Sequence, residues 1–178
     1  MDEKRRRFEA LAMPHLDAAY NLARWLTSGG AEADDIVQDA MLRAFRSFDG
    51  FRGEAVRPWL LAIVRNCHRS ALEQRKRHAA MPLGETDDTE IAAEDPTPEA
   101  SAIQTGDGRR LDTAIAALPD EFREVVILRE LEEMSYRDIA ATTGAPIGTV
   151  MSRLARARAL LRDRWMGQIE GGARHAVP

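Results

Sequence analysis

Apolar residues recur along much of this chain at intervals of three and four, the spacing of one helix face, so an all-α fold is expected. Phe8, Leu11, His15, Ala19, Leu22 and Leu26 mark a first helical stretch, roughly Phe8 to Leu26. Pro14 within it predicts a kink or the true helix start, and Thr27-Ser28-Gly29-Gly30 ends it. His15 falls on the apolar side with no second ligand at helical spacing, which points to a packed histidine rather than a metal ligand. A second helix, about Ala33 to Phe48, carries a stripe of Ile36, Val37, Ala40, Met41, Ala44, Phe45 and Phe48. Asp35, Gln38, Asp39 and Leu42 lie on its other side. A leucine exposed among carboxylates hints at a partner surface, although acidic residues near a helix start also suit the macrodipole.

A glycine-punctuated loop from Gly50 to Arg57 follows, then a helix opened by Pro58 at a favoured first-turn position. Trp59, Leu60, Ile63, Val64, Cys67 and Ala71 form its inward stripe. Arg65, Asn66, Arg69, Arg75, Lys76 and Arg77 supply positive charge and an amide beyond it, suited to a nucleic-acid backbone and a base edge or, equally, to a solvated helix end.

Further on, Arg110 to Ala117 and Asp120 to Leu131 read as two helices separated by Leu118-Pro119, with Leu111, Ile115, Leu118, Phe122, Val125, Val126 and Leu128 as core. Ser135 followed by Asp138 resembles a capping box, and Gly144 and Pro146 interrupt the pattern before a second amphipathic run. Ala140, Gly144 and Val150 have helix-turn-helix spacing. On the second helix Val150, Leu154, Ala157 and Leu161 share a face that should be buried, which turns Ser152, Arg153, Ala155 and Arg156 outward. Such a short, basic, small-residue face suits a DNA major groove. The tail after Trp165 reads as frayed.

Charge refines this picture. The net charge of -4 argues against a nucleic-acid partner until its distribution is considered. Residues 1–80 hold 14 Lys/Arg against 11 Asp/Glu, residues 81–108 none against 8, and residues 109–178 hold 11 against 10. The acidity is concentrated in 81–108, a segment with three of the eight prolines and too little apolar content to fold alone. The expected organisation is therefore an N-terminal helical domain over 1–80, an acidic flexible linker over 81–108, a C-terminal helix-turn-helix domain over 109–166 and a tail over 167–178.

The residues Leu118 to Arg158, with LP, SYRDIA and GAPIGTVMSRLARAR, resemble the promoter-binding C-terminal domain of extracytoplasmic-function sigma factors. The likeness extends over about residues 8 to 165. DDIVQDAMLRAF resembles the segment that docks on the clamp helices of the largest RNA polymerase subunit. The resemblance implies that Asp35, Gln38 and Asp39, with Leu42 beside them, contact core polymerase. F-R-G-x-x-x-x-P-W-L-x-x-I-x-R-N resembles the melting and -10 recognition segment. It implies that Asn66 reads a flipped base, with Trp59, Arg65, Arg69, Arg75, Lys76 and Arg77 around it. Ser70 stands where many members have Asp, which leaves the local hydrogen-bond network and base preference open. In the C-terminal domain the resemblance places Thr149, Met151, Ser152, Arg153, Ala155 and Arg156 on the -35 element. Met151 and Ala155 replace larger base-reading groups found in some members, so more reading of DNA shape is expected.

The implied partners are core polymerase through its largest and second-largest subunits, promoter DNA and an anti-sigma factor, with the free chain a monomer. Related acidic linkers thread toward the polymerase active-site cleft. No motif for catalysis or phosphate binding is present, and neither enzyme activity nor a cofactor is expected. Cys67, His68 and His78 lack the spacing and the further cysteine for a metal site. The charged start without an apolar run, and the absence of a span-length apolar segment, point to the cytoplasm; a single cysteine agrees. Two alternatives remain: a sigma-like mimic that binds an anti-sigma factor without touching promoters, and a dimeric helix-turn-helix repressor.

Overall fold

The computed structural model describes residues 2–27, 30–53, 55–80 and 106–174, and among them every regular element is helical. The expected linker falls almost wholly outside the described residues. Contacts divide the chain into two compact units, one built on the first four α-helices and the other on the last four up to Ala140 and again from Gly144.

In the first unit, α1 (Asp2–Ala12) gives way to a 3-10 turn at Met13–His15, and α2 runs Leu16–Leu26. Pro14 therefore breaks the expected single stretch into two helices, because its ring cannot continue the backbone hydrogen-bond ladder. Thr27 closes α2, its amide and hydroxyl both donating to the Ala23 carbonyl at 2.9 Å. Helix α3 (Gly30–Ser47) passes through a 3-10 turn at Phe48–Gly50, and α4 spans Val56–Ala80 with Pro58 in its first turn. Helices α2, α3 and α4 pack on one another and α1 lies against α4. Leu22, Leu60, Leu61 and Val64 are fully buried at the centre. Leu61 and His68 are also buried, so α4 hides a wider face than the expected stripe, while Trp59, Ile63 and Ala71 are only half-buried.

An aromatic cluster holds α1 and the segment before α4 together. Phe8 meets Phe45 and Phe48 edge-on, both at 5.3 Å, and Phe51 lies 4.7 Å from Trp59 and stacks on Phe48 at 6.3 Å. Lys4 and Arg7 lie over Phe45 and Phe48, and Lys4 also pairs with Asp49 at 2.5 Å. These ring contacts are favourable beyond the area they bury.

In the second unit, α5 (Gly106–Ala116) and α6 (Asp120–Val126) pack on α8 (Ile147–Arg174), with α7 (Tyr136–Thr143) preceding α8. Helix α5 takes in the last three residues of the expected linker, 106–108. Leu111, expected in the core, is 45% exposed, whereas Ala114, Ile115 and Leu118 carry the buried face of this stretch. Phe122 is half-buried. Helix α6 continues into a π-helical turn at Ile127–Leu131. The turn exits through Glu133, whose φ of +51° is left-handed. Met134 caps the exit, its amide donating to the Leu128 carbonyl and its carbonyl accepting from Arg129. Helix α8 continues past Trp165 to Arg174, where a frayed tail was expected. No proline interrupts it, and its glycines weaken a helix without forbidding it.

Candidate polymerase and nucleic-acid interface

Three outward helix faces carry the expected site residues. On α3, Asp35, Gln38 and Leu42 are exposed, Leu42 by 57%, and Asp39 is half-buried. Positions i, i+3, i+4 and i+7 coincide on a helix, so the four form one face. The neighbouring acids are used internally: Glu32 pairs with Arg75 of α4, and Asp34 accepts a hydrogen bond from Tyr20 of α2. Asp39 is fixed by Arg43, at 2.8 Å and 3.0 Å. Beneath it lies Cys67, 2% exposed, whose thiol is pushed up to about 11 by burial and next by the Asp39 charge.

On α4, Asn66 and Arg69 are exposed and Arg65 is half-buried. Trp59 lies two turns before Asn66 on the same side, and the exposed Arg77 falls about 20° from that line. Lys76, also exposed, flanks them next to Arg69. Arg75 does not join this group. Nine positions from Asn66 is about 180° around the helix, and Arg75 points back to Glu32.

On α7 and α8 the local chemistry behaves as the sequence dictates. Ser135 caps α7, its Oγ accepting from the Asp138 amide at 3.1 Å and donating to the Asp138 carboxylate at 2.7 Å. Gly144 adopts φ +68° and its amide returns to the Ala140 carbonyl at 2.9 Å. Only a residue without Cβ takes this conformation freely. Val150, Leu154 and Ala157 are buried and Leu161 is half-buried. Met151, Ser152, Ala155 and Arg156 are exposed, and Thr149 is half-exposed and accepts the Ser152 hydroxyl through its carbonyl at 3.0 Å. Arg153 is held by Glu121 of α6 at 2.9 Å. Arg158 is held by Glu130 at 2.6 Å, a hydrogen bond that raises its pKa above the ordinary arginine value. Neither carboxylate partner was evident in the sequence, because both lie about thirty positions upstream of the arginines and meet them only through the packing of α6 and its π turn on α8.

Among the described residues no group of three or more His, Cys, Asp or Glu side chains is placed to hold a metal ion. No described helix is long and apolar enough to cross a membrane.

Comparison with known proteins gives these faces a family. Residues 11–78 match the model for Sigma-70 region 2 and residues 108–161 that for Sigma-70 region 4. The chain is 36% identical over 156 residues to the ECF RNA polymerase sigma factor SigE of Mycolicibacterium smegmatis, covering 88% of this chain and 60% of that protein's length. It is 30% identical over 168 residues to the RNA polymerase sigma-H factor of Pseudomonas aeruginosa, covering 86% and 83%. It is 32% identical over 152 residues to the ECF RNA polymerase sigma-E factor of Escherichia coli, covering 80% and 78%. Among solved structures, the sigma factor RpoE of Bartonella quintana in complex with the anti-sigma factor NepR superposes with a TM-score of 0.73 at 29% identity, over 90% of this chain and 97% of that one. CnrH, solved with the cytosolic domain of CnrY, shares the fold with a TM-score of 0.65 at 24% identity, over 92% and 90%. With both regions matched in order and relatives aligned along most of their length, the chain belongs to the ECF RNA polymerase sigma factors.

Proposed function

We propose that this chain is a transcription initiation factor that binds core RNA polymerase, recognises -35 and -10 promoter elements and opens the DNA. The family is non-enzymatic, and the chain supplies contacts rather than a reaction. Asp35, Gln38, Asp39 and Leu42 form the core-binding face, with the leucine as the apolar centre and the acids as its rim. Asn66 captures one unstacked base, with Trp59 as a stacking surface and Arg65, Arg69, Lys76 and Arg77 along the backbone. Thr149, Ser152 and Arg156 meet the -35 element at the start of α8, where Met151 and Ala155 allow close approach.

The observation that carries this reading is the exposure of Asn66 on the same α4 face as Trp59, whose ring rests against Phe51 at 4.7 Å and so offers a held platform. An anti-sigma partner is proposed because the Bartonella relative is solved with one. A cytoplasmic location follows from these partners. Two substitutions separate the sites. Asp39→Arg abolishes co-migration with core polymerase on native gels, whereas Asn66→Ala leaves core binding intact and removes permanganate-reactive thymines at the promoter. Core binding that persists in Asp39→Arg, or that is lost in Asn66→Ala, would break the assignment into two sites.

A further inference from the structure

Three arginines in SRLARAR invite reading as one DNA-binding cluster, but their surroundings differ. Arg153 is bound to Glu121 at 2.9 Å and Arg158 to Glu130 at 2.6 Å. Arg156, between them in sequence, is exposed and has no ion pair among the described residues. At about 100° per residue, Arg153 and Arg158 straddle the buried seam of Val150, Leu154 and Ala157, about 60–80° to either side of Val150. Arg156 lies about 120° from that seam, on the outward arc with Ser152 and Ala155. In a major groove about 12 Å wide, the flanks of an inserted helix lie beside the two phosphate walls. Unpartnered arginines at these flanks would reach for phosphates.

We infer that Glu121 and Glu130 are specificity-determining residues, which occupy Arg153 and Arg158 in place of DNA phosphates and thereby lower the sequence-independent affinity of the -35 reader. The inference rests on the proposed -35 role of α8. Phosphate contacts carry no sequence information and supply most of non-specific binding. A helix with all three arginines free would gain affinity for every sequence alike. With two arginines held by carboxylates, the promoter-dependent contacts of Arg156 and Ser152 weigh more in the total. Arg153 and Arg158 then serve as positioning residues that fix α8 against α6 and the π turn.

The test uses holoenzyme assembled from core polymerase and the full chain, with duplex DNA carrying a selected promoter and matched DNA lacking it, titrated from 50 to 200 mM salt. One new phosphate contact adds about 0.9 to the magnitude of the slope of log K against log salt. Glu121→Gln is expected to steepen the slope by about that amount on both DNAs, which widens the affinity ratio between the two salt concentrations about 3.5-fold. Glu130→Gln does the same through Arg158. The double variant Glu121→Gln/Arg153→Gln returns to the wild-type slope, which ties the effect to the released arginine and not to a lost negative charge. Glutamine keeps the size of the glutamate side chain, and both glutamates are about half exposed in their pairs, where an ion pair contributes little to stability, so these variants fold. An unchanged slope in both glutamine variants, or a lowered slope in Arg153→Gln alone, would overturn the inference. Wild-type holoenzyme that binds the two DNAs equally would overturn the -35 reading beneath it.

Discussion

Replacing Gly144 by alanine tests the turn between α7 and α8 through backbone conformation alone. Gly144 sits at φ +68°, and a Cβ built on it meets nothing within 4 Å. Neither a clash nor a lost contact contributes to the outcome. Holding an L-residue in the left-handed region costs about 1–2 kcal/mol. Alanine also narrows the unfolded ensemble, which offsets roughly 0.4–1 kcal/mol of that cost. The expected net loss is about 1 kcal/mol. Gly148, four residues later, has equally open surroundings but lies inside α8 with ordinary helical backbone. There the same substitution is expected to stabilise by about 0.5 kcal/mol, since glycine in a helix carries only the entropic penalty. For a unit of this size 1 kcal/mol moves Tm by about 4–8 °C. Calorimetry on the full chain should therefore place the two alanine variants on opposite sides of wild type. Equal destabilisation by both, or a Gly144→Ala transition at or above wild type, would refute the conformational reasoning.

The mirror-image substitution, Glu133→Gly, relieves a left-handed non-glycine residue at φ +51° and is expected to raise Tm by a few degrees; a lower Tm would show that the glutamate side chain makes a contact worth more than the strain. Cys67, with its thiol pushed up to about 11 by burial, stays protonated at pH 8 and should alkylate far more slowly in the native chain than in denaturant, a comparison that equal rates would contradict. Because the unfolded thiol ionises near 8.5, the folded state loses stability as pH rises between about 8.5 and 11. His15 is held below its ordinary pKa by burial and then by the Arg57 charge, so the unfolded chain takes up its proton first and stability falls as pH drops below about 6.5. An NMR titration of His15 should move upward in Arg57→Gln, and no movement would remove Arg57 as a cause.

What could be read from the sequence was what neighbours along the chain decide. Ser135 and Asp138 are three apart and cap α7, Gly144 turns it, and Pro14 breaks the first helical stretch, because each acts within one helical turn of itself. The outward positions of Asp35, Gln38, Leu42, Asn66 and Arg156 followed from the periodicity of their own helices. The ion pairs did not. Arg75 with Glu32, Arg153 with Glu121 and Arg158 with Glu130 depend on which helices pack together, and a run of arginines looks the same whether its carboxylate partners are near or absent. The π turn after Val126 was hidden for a related reason: Val125, Val126, Ile127 and Leu128 are all buried, a consecutive run that no single-faced helical pattern describes. The continuation of α8 to Arg174 ran against the low propensity of its glycines, which sets a cost and not a boundary.

The central claim, that this chain directs core polymerase to promoters, is tested most directly by transcription. Purified bacterial core polymerase is supplied with a pool of randomised promoter DNA, with and without the protein, and abortive RNA is measured. RNA that appears only with the protein, from templates enriched in two spaced elements, is the expected result, and Asn66→Ala should abolish it while core binding persists. Well-folded protein that binds core polymerase yet yields no transcript from any template would contradict the account.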